Sequence, residues 1–315
     1  MSRLKTALLA AGLATACLAA NAETPVRLVI PAPAGGGTDG FFRTVAQEAE
    51  KTLGAPIVVV NVGGAGGTIG VSQVIRAAPD GKTLAAVWSS PVTAAPHAIK
   101  SYKPQDFTAI IQISSAPYVM CVANSFPGKT GAAFIEELRR NPDKYTYGND
   151  GIGGTGQLAS ERIFRAVKVS VRDVPFKGAG ETLTNFLGGH VDIYVGSILP
   201  VMPHLKAGKV ACPLVTSAAR AASLPDSSGL ADIGIPGEET LLWRGILAPN
   251  GIAPDTAKQI EHAFETAAQQ PAVRKFAQEA GEEIVIRKGP ELQKMIDKEF
   301  EALGAVAKSL NIQPQ

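Results

Sequence analysis

Short apolar runs alternate with longer segments whose apolar residues recur every three or four positions. "VRLVI" (26–30) is followed by "DGFFRTVAQEAEKTLG", and "PIVVVNV" by "TIGVSQVIRAAPDG", before the apolar "TLAAVWSS". The short runs lack polar alternation, which predicts strands buried on both faces, as in a parallel sheet. The longer segments predict helices, so the chain opens as repeated βα units. A second series begins after "FTAIIQISSAPYVMCVANS". There "TGAAFIEELRRNP", "TGQLASERIFRAV", "GETLTNFLGG" and "ILPVMPHLKAG" read as helices, and "KYTYGND", "VSVRDVPF", "VDIYVGS" and "VACPLVTS" as strands. An extended apolar segment, "LLWRGILAPNGIAP", leads into three closing helices. In the last of these, Leu292, Met295, Ile296, Phe300 and Leu303 lie at helical spacing and read as core packing. Two α/β units with helices that return to the first predict two lobes and a cleft between them. Ligands of such folds bind at strand C-termini and between domains.

The first 22 residues stand apart. Arg3 and Lys5 precede the apolar "TALLAAGLATACLAA", and "ANA" has the small-x-small form of a cleavage site. This predicts a signal peptide and export, with the mature chain starting near Glu23. Lipidation at Cys17 is the alternative, but Ala14 occupies the position where a larger aliphatic residue is expected. Without Arg3 and Lys5, 28 basic side chains face 28 acidic ones. Dispersed charge of zero net sign gives no support to nucleic-acid or membrane-surface binding. Roughly 290 mature residues exceed what one core usually holds, which again favours two domains. Cys121 and Cys212 would remain. They could pair in an oxidising compartment, but sequence does not show their distance, and the favoured reading is two separate buried small hydrophobes.

Catalytic signatures are weak. There is no G-x-S-x-G and no H-E-x-x-H, and His97, His190, His204 and His262 lack metal-ligand spacing. "DGKT" and "PGKT" lack the earlier glycine of a phosphate loop, with Arg76 and Ala123 in its place. "GIGGTG" (151–156) matches G-x-G-x-x-G and has Asp173 downstream, but the strand before it is short and polar. What recurs is the glycine-rich turn after a strand: "PAGGGTDG", "GGAGGTIG", "GNDGIGGTGQ" and "PFKGAGET", with "WSSP" in a similar place. Each alone is a tight turn. Together they would line one cleft with amides and hydroxyls, which is a surface for binding an anion at helix starts.

Taken together, "VIPAPAGGGTDGFFR", "IVVVNVGGAGGTIGVSQVIRAAPDGKTL", "YTYGNDGIGGTGQLASE", "VRDVPFKGAGETLTNFLGGHVDIYVGSILPVMPHLKAGKV", "LVTSAARAASLPD" and "LAPNGIAPDTAKQI" cover nearly the whole mature chain. In this order they resemble the periplasmic substrate-binding proteins of tripartite tricarboxylate transporters, the TctC or Bug family. The resemblance implies an α/β, two-lobed periplasmic binding protein of the Venus-flytrap, type II-like kind, each lobe a mixed, mostly parallel sheet flanked by helices. Residues 23–122 with 245–315 would form domain 1 and 123–244 domain 2. It further implies a non-enzymatic protein without cofactor or metal. Such a protein captures a small organic carboxylate and passes it to TctA- and TctB-like membrane subunits, working as a monomer without nucleic acid.

Carried over by motif, the implied ligand contacts are Gly36, Gly37, Thr38 and Asp39 from one lobe and Gly154, Thr155 and Gly156 from the other. Lys177 and Gly178 come from the "VPFKG" match, and Ser89 and Ser90 from a position that sets specificity. The chain departs from the family pattern at Phe176, where Tyr is frequent, and at Gly196 and Ser197. It departs again at Arg244, which would either reach a second carboxylate or bridge the lobes. With Trp88 near Phe176, these departures suit a di- or tricarboxylate, aliphatic or aromatic, over an amino acid. A ligand sensor feeding a two-component system, or a small-carboxylate enzyme, are the alternatives.

Overall fold

A computed structural model describes residues 24–149, 151–176 and 179–314. The signal-peptide segment and Cys17 therefore lie outside the described residues. The first lobe opens with β1 (Val26–Ile30), α1 (Gly37–Leu53), β2 (Ile57–Asn61), α2 (Thr68–Ile75) and β3 (Thr83–Trp88). A π-helical turn, Ser90–Ala94, follows. Strand β4 (Phe107–Pro117) runs to the edge of the lobe, and β5 (Val119–Ala123) continues it in the second sheet.

The second lobe adds α3 (Gly131–Arg140), β6 (Thr146–Asn149), α4 (Thr155–Ala166), β7 (Arg172–Pro175) and α5 (Ala179–Leu187). It closes with β8 (Ile193–Gly196), α6 (Ile198–Lys206) and β9 (Val210–Val215). The chain returns through β10 (Leu241–Pro249), α7 (Pro254–Ala268), α8 (Pro271–Glu279), β11 (Glu283–Lys288) and α9 (Gly289–Ser309). Strand β11 has no counterpart in the sequence reading, which runs three helices together. It is a half-buried edge strand with charged ends, so its apolar signal is short.

The six-stranded sheet has the order β11-β4-β10-β3-β1-β2, and the five-stranded sheet β7-β6-β8-β5-β9. β1 pairs parallel with β2 and β3, and β6 parallel with β7 and β8. β10 runs antiparallel to β3 and β4, and β5 antiparallel to β8 and β9, each entering its lobe from the other, while β11 pairs antiparallel with β4 at the sheet edge. A strand that arrives from the cleft must run against those that end there.

Side chains alternate across each sheet, as buried strands require. In β1, Leu28 and Ile30 pack with Phe41, Phe42 and Phe264 from α1 and α7, while Val29 packs with Val71 from α2 and Leu292 from α9. The second sheet is covered in the same way, by α3 and α4 on one face and α5 and α6 on the other.

The expectation of two separate thiols is overturned. Cys121 and Cys212 form a disulfide, with the sulfurs 2.02 Å apart. They are 91 residues apart in sequence but lie on β5 and β9, which are neighbours in the sheet. Strand order, invisible in a single sequence, brings them together.

The chain crosses between the sheets at Tyr118 and Thr240, and Thr216 ties the two crossings. The Tyr118 N–H donates to Thr216 Oγ1 at 2.9 Å, and that hydroxyl donates to the Thr240 carbonyl at 2.6 Å. To one side of the crossings, Leu158 of α4 packs with Ala94 and with Leu303 and Ala307 of α9. The lobes thus touch along a small apolar seam.

Candidate functional site

Four helices begin at one cavity. Helices α1 and α2 in the first lobe follow β1 and β2, and α4 and α6 in the second follow β6 and β8. Their N-caps are Gly36, Gly67, Gly154 and Ser197, and none makes a side-chain capping bond. Gly37, Thr38, Gly66, Gly67, Gly154 and Ser197 line a cavity of about 600 Å³ between the lobes. First-turn amides without side-chain caps and the aligned backbone dipoles make these helix starts attractive to an anion, with the Thr68 N–H of α2 already donating to the Ala65 carbonyl.

Glycine is required at Gly67. Its φ is +93°, and a Cβ there would lie 2.9 Å from Pro91 Cβ. The remaining wall is apolar and aromatic, with Trp88, Tyr118, Phe176, Ile152 and Leu242 prominent in it. A second chamber of about 640 Å³ shares Gly37, Thr38, Ser197 and Arg244 with the first and adds Gly36.

Asp39 does not line either chamber. It is buried, and its carboxylate accepts from Arg43 Nε at 3.0 Å, the Gly35 N–H at 2.9 Å and Asn61 Nδ2 at 2.9 Å. Burial alone would raise its pKa, but Arg43, the Gly35 N–H and Asn61 outweigh that and hold it below the ordinary carboxylate value. Asp39 therefore braces the glycine loop from behind.

Arg244 reaches the cavity, yet its charge is already met. Nη2 lies 2.7 Å and Nε 2.9 Å from the Glu282 carboxylate, which also accepts from Ser114 Oγ at 2.7 Å. Both members of the pair are buried. Nη1 donates to Thr38 Oγ1 at 2.5 Å, and the guanidinium lies over the Phe41 ring at 5.4 Å. Every one of these partners belongs to the first lobe, so Arg244 does not bridge the lobes through them. Because Thr38 Oγ1 accepts from Arg244, the Thr38 proton is free to point to another acceptor.

In the second lobe the "GIGGTG" loop is held by its own polar network. The Gly151 N–H donates to Asn149 Oδ1 at 2.9 Å and the Gly153 N–H to Gln157 Oε1 at 2.6 Å. Asp173 accepts from Asn149 and from Gln157 Nε2. Burial pushes the Asp173 pKa up, while those amides pull the other way. The acidic residue downstream of the glycine motif is thus a strut for the loop.

Gly154 lines the cavity, whereas Thr155 and Gly156 lie buried behind it. Ser90 lines the cavity, and Ser89 is buried behind. The hydroxyls of Ser89 and Thr155 have no hydrogen-bond partner among the described residues. Phe176 and Ser197 are at the wall, while Lys177 and Gly178 lie outside the described residues.

Tyr118, Leu242 and Glu282 are missing from the residues singled out by sequence. The first two sit at the crossings between sheets, and Glu282 meets Arg244 only because β11 and β10 both flank β4. No local signal marks them. Among the described residues no group of three or more His, Cys, Asp or Glu could hold a metal ion, and no helix is long and apolar enough to cross a membrane.

The same architecture recurs in solved proteins. MatC from Rhodopseudomonas palustris, with bound malate, is 28% identical with a TM-score of 0.78, and the match covers 90% of this chain and 99% of that one. A second R. palustris protein, with adipate, is 27% identical at a TM-score of 0.79 over 93% and 99% of the two chains. A protein of Cupriavidus necator described as "UPF0065 protein in gbd 5'region" is 34% identical, over 80% of this chain and 77% of its own. The model of the tripartite tricarboxylate transporter family receptor matches residues 41–312. Lobes, glycine-rich helix starts and sequence agree, and the chain belongs to the tripartite tricarboxylate transporter receptor (TctC) family.

Proposed function

We propose that this chain captures a small organic carboxylate between its lobes and delivers it to a tripartite tricarboxylate-type membrane transporter, carrying out no reaction on it. The observation that supports this most is the convergence of four uncapped helix starts, two from each lobe, on one cavity. A ligand that satisfies amides on both lobes favours the closed arrangement, and one that touches a single lobe does not. The malate and adipate held by the two R. palustris relatives support a carboxylate. Trp88, Tyr118 and Phe176 would cover the carbon skeleton.

In this reading residues 1–22 direct export to the periplasm. The lobes comprise 23–122 with 245–315, and 123–244. The protein acts as a monomer and presents its closed form to TctA- and TctB-like subunits. Gly36, Gly37, Thr38, Ser90, Gly154 and Ser197 provide the polar contacts.

Calorimetric titration with malate, adipate, terephthalate and a set of amino acids tests the reading. A dicarboxylate is expected to bind, and at a hundred times its Kd to stabilise the protein by about 2.7 kcal/mol. Tighter binding of zwitterionic amino acids, or silence toward every carboxylate, would overturn it.

A further inference from the structure

The buried Arg244–Glu282 pair stands at the waist between the two chambers. Arg244 lines both chambers, and Glu282 lines the second. Among the described residues lining the first chamber, Arg244 is the one with a charged side chain. An arginine at that place would normally add a full positive charge to a carboxylate site. Here Glu282 answers it through Nε and Nη2, and Ser114 fixes the glutamate in turn. In the first chamber, among the described residues, the ligand therefore meets partial charges from helix starts and a guanidinium whose charge Glu282 cancels. Each helix N-terminus is equivalent to roughly +0.5 charge, so four supply roughly +2. Two carboxylates match that, and a third would leave water with no counter-charge to receive it.

Resting on the carboxylate reading above, we propose that Glu282 is a specificity-determining residue. It cancels Arg244 and thereby restricts the cleft to ligands with two carboxylates, excluding those with three. Arg244 is left as a positioning residue. Its Nη1 holds Thr38 Oγ1, which turns the Thr38 proton toward the ligand. The guanidinium is kept in place by Glu282 and by the Phe41 face, so it performs this task with no charge of its own to offer. Replacing Glu282 by a neutral isostere would keep an acceptor for Nε or Nη2 and expose one unit of positive charge beside the ligand.

The test uses ligand pairs that share a skeleton and differ by one carboxylate, at pH 8 where all are ionised. Glutarate is set against propane-1,2,3-tricarboxylate, and terephthalate against benzene-1,2,4-tricarboxylate. Dissociation constants are measured by calorimetry for the intact protein and two variants. The unaltered protein should favour the dicarboxylate of the pair it binds by at least tenfold. Glu282→Gln should reduce that ratio by tenfold or more, because the third carboxylate gains a charged partner. The neutral double variant Arg244→Gln with Glu282→Gln should keep the original ratio.

Loss of packing would weaken both members of a pair alike, so the ratio isolates charge. If Glu282→Gln does not fold, the ratio of the unaltered protein and that of the double variant decide. Equal binding of both members by the unaltered protein overturns the proposal. So does a ratio unmoved by Glu282→Gln, or a double variant that favours the tricarboxylate. If no carboxylate binds at all, the carboxylate reading itself falls. If carboxylates bind without this charge dependence, only the role of Glu282 falls.

Discussion

Gly153 of the second lobe abuts Ala98 of the first so closely that a Cβ on Gly153 would overlap the Ala98 Cβ. The glycine loop that helps form the cavity is thus also a contact across the cleft. Its φ of +71° makes glycine the natural residue there on backbone grounds as well.

Gly153→Ala is expected to hold the lobes apart and weaken carboxylate binding by tenfold or more. Left-handed backbone strain adds roughly 1–2 kcal/mol of lost stability. Ala98→Gly in the same chain removes the overlapping methyl. It should restore much of the affinity and none of the strain, as calorimetry and thermal melting would separately record. Equal affinity with and without Ala98→Gly would show that the overlap is not what limits closure.

At Gly37 there is room for a methyl group. A Cβ would lie 3.9 Å from Arg244 Nη2, ordinary contact distance. Gly37→Ala should fold at least as well as the natural chain, since alanine favours helix. Gly37→Leu would fill the cavity beside Thr38 and lower affinity by a hundredfold or more with an unchanged circular dichroism spectrum. Retained binding in Gly37→Leu would remove this helix start from the site.

The Cys121–Cys212 disulfide closes a 91-residue separation that contains most of the second lobe. Opening it by Cys121→Ser with Cys212→Ser should cost about 2–5 kcal/mol, read from urea unfolding. The loss should appear in the second lobe's stability, and ligand affinity should fall only as far as that lobe loosens. Identical unfolding midpoints with and without reductant would show that the bridge contributes nothing.

Glu299 introduces a pH dependence. Burial pushes its pKa up to about 7, and the hydrogen bonds from Thr93 and Trp243 pull the other way without cancelling the rise. The folded chain then holds a proton that the unfolded chain has released above pH 4.5. Stability should fall as pH rises from about 4.5 to 7 and level off above. The drop is on the order of 3 kcal/mol by the usual conversion of a pKa shift to energy. Glu299→Gln should flatten this slope, since its carbonyl still accepts from Thr93 and Trp243. A slope unchanged by the substitution, measured by urea unfolding across pH 4.5–8, would assign it to other groups.

The sequence by itself determined the features that arise over a few residues. Apolar runs flanked by amphipathic segments specified βα units, and glycine-rich turns after strands specified helix starts open to an anion. Residue order then specified two lobes, and motif order the family. These are local properties, because strand burial, helix amphipathicity and turn geometry depend on near neighbours.

Tertiary structure decided what depends on strand order and side-chain direction. Asp39 and Thr38 are adjacent in sequence, yet one braces the loop from behind and the other faces the cleft. Helix geometry alone turns successive side chains apart. Arg244 reads as a free cation until β10 and β11, flanking β4, bring Glu282 beside it. Cys121 and Cys212 read as separate until β5 and β9 pair. In these last two cases the deciding partner lies tens of residues away, and only the folded sheet sets that distance.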